Sequence, residues 1–209
     1  MAFDPFKCPT SEALPTLSDL ETCATSIDQT QRIAFQKRAG AAFTTTNVLT
    51  ESAWVDAIGD SADPNIVVVS PYLQKFTITP GEVIETGDAQ NLNGMPQHEG
   101  FGFTTVTAEI HNVPHSVIAD LKKLTQLSSA AAGITKLGGY FFGENARITA
   151  NVVGTAVSGI PIYNFTVSDV MSEGKRKPNV WKVRFLLADG WSETIDTLNA
   201  TPPFDPVDL

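Results

Sequence analysis

Cysteine is almost absent from this chain: its 209 residues include two, Cys8 and Cys23, both near the N-terminus. Two thiols cannot build the disulfide framework that small secreted folds depend on, and no histidine lies beside them to complete a metal site. They read either as reduced thiols or as one clip closing a 14-residue loop. Long apolar runs are also missing, and none approaches the roughly 20 residues a membrane helix needs. The opening MAFDPFKCPTSEALP lacks the basic-then-apolar layout of a secretory signal. Synthesis in the cytoplasm and no membrane association are the expectation.

The usual signatures of catalysis are lacking too. No serine sits in a G-x-S-x-G elbow, and no glycine-rich loop has the spacing that cradles phosphate. The nearest paired carboxylates, Glu82 and Glu85, lie in a polar stretch with no apolar frame to shift a pKa. His111 and His115 have the i, i+4 spacing of a helical metal pair. Pro114 between them places His111 ahead of the helix, so the two do not share a face. The segment ETGDAQNLNG is rich in oxygen donors but lacks the alternating aspartates and closing glutamate of a calcium loop. The expectation is a protein that is not an enzyme and uses no metal or cofactor.

Positive charge is the next scarcity. Lysine and arginine number 14 against 23 acids, a net charge of −9. Ten of the acids fall between residues 50 and 120, where Lys75 is the only base. A surface this acidic repels phosphate backbones, which excludes tight binding of DNA or RNA by counterion release. The one basic run, EGKRKP, holds Lys175, Arg176 and Lys177. It reads either as a solvated turn between strands or as a positive knob meeting an acidic surface on an identical neighbour, where it would set register more than affinity.

What the chain does have is strand. With 42% apolar residues it is long enough for a proper core. QRIAFQKR, AAFTTTNVLT, NIVVVSPYLQKFTI and FGFTTVTAEI show the alternation and the β-branched and aromatic content of strands, with a break at Pro71. LGGYFF, ARITANVVG, IPIYNFTVSDV and NVWKVRFLLA follow later, separated by turn residues. ESAWVDAIG is a short helix capped by Thr50 or Ser52, with Ala53, Trp54, Ala57 and Ile58 on one stripe. SDLETCATSI offers a helical turn or two, capped by Ser18. HNVPHSVIADLKKLTQLSSA is the one long helix, with Val117, Ile118, Leu121 and Leu124 facing a core and Lys122 and Lys123 facing away. The ADG at residues 188–190 marks a tight turn, and the proline-rich NATPPFDPVDL an extended tail.

These elements predict a mainly β fold, a sandwich or barrel with one packed α-helix. They divide the chain into an N-terminal arm (residues 1–30), a β-rich body (31–198) and a C-terminal arm (199–209). The strands ending in SPYLQKFTI and beginning with FGFTTVTAEI form an antiparallel pair around a long excursion. From Pro80 to Gly100 that excursion is polar, acidic and punctuated by glycine. Structureless connections longer than about 12–15 residues are uncommon in compact domains and usually functional. A β domain with two arms, a long hairpin loop and no chemistry has the layout of a subunit built to assemble.

In that layout the chain resembles the major tail tube proteins of tailed bacteriophages, and more loosely other phage virion proteins. The likeness is carried by the N-terminal arm, the early strands with TESAWVDAIG, the excursion after SPYLQKFTITPGE, and the helix HSVIADLKKL before the C-terminal strands. It covers most of the chain and includes no diagnostic motif. It implies a subunit made in the host cytoplasm and located in the virion. There it would form hexameric rings that stack into a tube with other tail proteins, the mid-chain loop and termini touching neighbouring rings. It also implies an acidic lumen through which DNA passes without sticking. The residues singled out for lumen or assembly are Asp56, Glu82, Glu85, Asp88, Lys175, Arg176 and Lys177. Other readings are a capsid decoration or head–tail joining protein, and an extracytoplasmic β-domain binding carbohydrate or protein. The last would expose an aromatic cluster, whereas Trp54, Trp181 and Trp191 are scattered as core or interface residues are.

Overall fold

The computed structural model describes residues 30–86, 97–128, 135–172, 174 and 177–209. The fold is mainly β, as expected: a large, curled antiparallel sheet with helices packed against it. Most of the expected N-terminal arm, with both cysteines and SDLETCATSI, lies outside the described residues.

Two strands organise the molecule, β1 (Thr30–Lys37) and β8 (Leu137–Gly143), paired antiparallel along their whole length. Both are buried on both faces, which is why LGGYFF reads as a continuous apolar run. Ile33, Phe35, Leu137 and Phe141 point into one hydrophobic core, and Ala34, Tyr140 and Phe142 into a second. The other edge of β8 forks. Its first half pairs with β11 (Ile160–Val167) and its second half with β9 (Arg147–Val153). The fork needs close backbone approach where β8 meets the turn before β11. A Cβ on Gly159 would lie 2.8 Å from the carbonyl carbon of Gly138, so Gly159 has no room for a side chain, and a Cβ on Gly138 would be tight at 3.1 Å from the Gly159 carbonyl oxygen.

One branch runs β11, β12 (Val180–Leu187), β7 (Thr104–His111) and β4 (Leu73–Thr79). Val106, Ala108 and Ile110 alternate inward against Val183 and Phe185, one of the two phases of the alternation in FGFTTVTAEI. The helix α2 (His115–Ser128) closes this core with Ile118 and Leu121. Ser128 at its end accepts the Phe165 N–H at 2.8 Å. Lys122 and Lys123 face solvent, paired with Asp169 and Asp120.

The other branch carries β9, β10 (Ala156–Ser158), β13 (Ile195–Asn199) and the two-residue β2 (Phe43–Thr44), with β3 (Val67–Val69) on the far edge of β1. The helix α1 (Glu51–Ile58) covers the second core, making two α-helices among the described residues rather than one packed helix. Trp54 is fully buried, stacked on Phe43 with centroids 4.4 Å apart, and its indole N–H donates to the Val48 carbonyl at 2.8 Å. Ile58, expected on the same stripe, is 40% exposed. Thr50 sits at the N-cap, but its hydroxyl turns back to the Asn47 carbonyl and caps nothing.

The C-terminal stretch corrects an expectation. Residues 199–209 do not extend away as an arm: Ala200, Phe204 and Val207 are buried in the second core. Arg32 holds the stretch from beneath. Its Nε donates to the Ser70 carbonyl at 2.8 Å and its Nη1 to the carbonyls of Val207, at 2.9 Å, and Leu209. Its guanidinium also lies over the Tyr72 ring. Three prolines made the segment read as extended, whereas its apolar side chains decide where it goes.

Candidate assembly surface

The excursion between β4 and β7 is itself a β-hairpin. β5 (Val83–Thr86) and β6 (Gln97–Phe101) form a separate two-stranded sheet, with Val83 opposite Phe101 and an irregularity between Ile84 and Glu85. The expectation of a polar loop without anchors of its own therefore needs correcting: β structure occupies both of its sides.

The neck is narrow and fixed by backbone. The Gly102 N–H donates to the Glu82 carbonyl at 2.8 Å, and a Cβ on Gly81 would lie 2.0 Å from the Gly102 carbonyl oxygen. Any side chain at Gly81 would force the strands apart. The Phe101 N–H donates to Asp189 Oδ2 at 3.2 Å, tying the base of the hairpin to the turn after β12.

Beyond the neck the hairpin belongs to neither core. Val83 is 49% exposed, Ile84 47% and Phe101 49%. Phe103, in the link to β7, is 53% exposed, its ring 5.7 Å from that of Tyr163 on β11. Apolar side chains on both faces of a two-stranded sheet form an unusual surface, because an isolated hairpin is marginally stable in water. Such contiguous apolar exposure marks an interaction site more often than chance does. Sequence reasoning missed these residues, although the adjacent β-branched pair VI of GEVIET was a signal, because the glycines and acids around it dominate the composition.

The residues singled out from sequence fall on separate elements. Glu82 and Glu85 flank the apolar pair on the hairpin and are exposed. Asp56 is on the exposed side of α1, against the second core, and is not brought to the hairpin. Lys177 is exposed in the connection between β11 and β12. Asp88, Lys175 and Arg176 lie outside the described residues. The acid-rich region from 50 to 120 is thus spread over α1, the hairpin, β7 and α2.

The two histidines serve structure. His111 Nε2 is 3.1 Å from Glu109 Oε2, and His115 packs edge-on against Trp181 with ring centroids 5.7 Å apart. Hydrogen bonds from Lys75 and then His111 hold the Glu109 carboxyl below its ordinary pKa. Burial pushes the Tyr140 hydroxyl well above its own, and that hydroxyl donates to Gln36 Oε1 at 2.9 Å between the paired β1 and β8. No group of three or more metal-ligating side chains occurs among the described residues.

This geometry defines a mainly β fold whose hairpin exposes apolar and acidic side chains. Compared with protein-family models, curated proteins and solved structures, the chain matches none.

Proposed function

We propose that this chain is a structural subunit that assembles with copies of itself, as stacked rings forming the tail tube of a tailed bacteriophage. The observation that supports self-assembly is the β5–β6 hairpin, which stands outside both cores with Val83, Ile84 and Phe101 about half exposed. Covering that surface with an identical neighbour would remove apolar area from water, the dominant favourable contribution to association. The tube form and the DNA conduit rest on the resemblance in layout together with the net charge of −9, which keeps phosphate backbones from adhering to the wall. Within the set chosen for lumen and assembly, Glu82 and Glu85 share the hairpin with the proposed contact.

The test is deletion of residues 84–97 with a short Gly-Ser bridge, followed by negative-stain microscopy and sedimentation. The parent chain is expected to give rings or tubes, and the deletion variant a folded monomer with an unchanged melting temperature. Tubes from the deletion variant would remove the hairpin from the contact. A parent chain that stays monomeric at all concentrations would remove self-assembly altogether.

A further inference from the structure

The outward face of β4, β7, β12 and β11 is concave, an open groove of about 550 Å³. Its curvature has a local cause. Both flanking strands are bulged with a non-glycine residue in the left-handed region: Lys75 on β4 at φ 51° and Asn164 on β11 at φ 48°. Bulges bend a strand and increase its twist, so both margins of the face curl around the central pair β7–β12.

The charge of this face runs against that of the molecule. Lys75, Lys182 and Arg184 line the groove with Glu109 as the only acid, on a chain whose net charge is −9. Glu109 is engaged with Lys75 at 2.9 Å and His111 at 3.1 Å. Among the described residues no ion pair engages Lys182 or Arg184. They stand two residues apart on the exposed side of β12, opposite Glu109 and Thr107. Thr77, Thr107 and Thr166 fill the space between them, with the half-buried Val167 at one margin. The groove is therefore a cationic trough lined by threonines, and the acids of the hairpin, Glu82 and Glu85 beside the exposed Val83 and Ile84, are its counterpart in charge.

A chain cannot readily fill its own groove. β4 and β7 run directly into the hairpin, whose base is held at the end of the sheet by the Gly81–Gly102 neck and Asp189. The groove lies back along those same strands, at Lys75 and Glu109.

We infer that the groove receives the β5–β6 hairpin of a second copy, with Glu82 and Glu85 set against Lys182 and Arg184. This rests on the self-assembly reading and names the surfaces that carry it. The contact joins two different patches, so it is heterologous and repeats from copy to copy, closing a ring or extending a filament.

Charge reversal in the full-length chain tests it. Arg184→Glu with Lys182→Glu, or Glu82→Lys with Glu85→Lys, should each raise the concentration needed for assembly at least tenfold at low salt, as read by sedimentation velocity. Mixing the two variants, or combining all four substitutions in one chain, should restore assembly. Lys182→Glu sets a carboxylate opposite Glu109, so Arg184→Glu alone, opposite Thr107, provides the variant least able to disturb the sheet. Melting temperatures confirm that each variant is folded. Reversals without effect on an assembling parent would overturn the groove contact and leave self-assembly standing. Folded variants that neither mixing nor combination rescues would overturn it as well. So would a groove reversal that abolishes binding of inorganic tripolyphosphate and leaves assembly intact, since the groove would then be an anion site. A parent chain that never assembles removes both readings together.

Discussion

Truncation after Asn199 is expected to destabilise the chain severely, although the deleted residues, ATPPFDPVDL, carry no strand. Phe204 retains 8% of its exposure and Val207 6%, so both side chains are lost from the second core. At about 1.5–3 kcal/mol for each large buried apolar side chain, those two alone stabilise the fold by about 3–6 kcal/mol. Arg32 also loses its Val207 and Leu209 acceptors. Burial already draws its pKa below the ordinary value, opposed by the nearby Tyr72 and Asp208. Removing the tail takes away Asp208 but also readmits water, so the guanidinium adds little to the loss. A domain with a total stability of about 5–15 kcal/mol would forfeit about a fifth of it or more. Urea unfolding followed by circular dichroism gives the difference directly, with Phe204→Ala as a milder companion expected to lose about 3–5 kcal/mol. A truncated chain with the midpoint and slope of the full-length protein would show that the tail merely rests on the surface and that the core assignment of Phe204 and Val207 is wrong.

The remaining predictions concern α2 and the Glu109 cluster. Leu121→Ala should cost about 2–5 kcal/mol through lost transfer energy and a cavity, whereas Lys122→Ala on the exposed face should leave the melting temperature unchanged. A Leu121→Ala chain that melts with the parent would place that stripe outside the core. Because the folded-state pKa of Glu109 is depressed, its charge stabilises the fold above the unfolded value of about 4.3, and this contribution disappears as pH falls through the lower folded value. Glu109→Gln should therefore melt below the parent at pH 6 and approach it at pH 3. An equal gap at both pH values would refute the ion-pair account.

Much of the fold was legible because its strands obey simple patterns. FGFTTVTAEI alternates, and β7 buries one phase of it, since one face meets a core and the other meets solvent. LGGYFF does not alternate, because β8 is walled by a core on each side. Its partners could not be read, since β1 lies about a hundred residues away: Tyr140 meets Gln36 across 104 positions. The candidate surface was only half legible. Its acids stood out, but its apolar residues were hidden by the glycines that the neck requires. The groove was invisible in sequence because it depends on bulges at Lys75 and Asn164: lysine gives no sign of a left-handed backbone, and one asparagine within an apolar strand run is a faint signal for it. The tail misled for a related reason, since proline density signals a lack of regular structure and says nothing about burial.

The double-walled pair β1–β8 has a consequence during synthesis. β1 is made early, yet the strand that flanks its whole length follows only after α1, the hairpin and α2 have been translated. Until then β3 can pair with one edge of β1, but the edge that β8 will occupy stays unmatched beside the apolar Ile33, Ala34 and Phe35, a template for other nascent chains. Slow, non-local pairing of this kind prolongs that exposure. Yield from a heterologous host should therefore depend on translation rate and temperature more steeply than the finished protein's stability suggests. The order of emergence from the ribosome thus decides whether nascent copies meet as folded domains or as sticky ribbons.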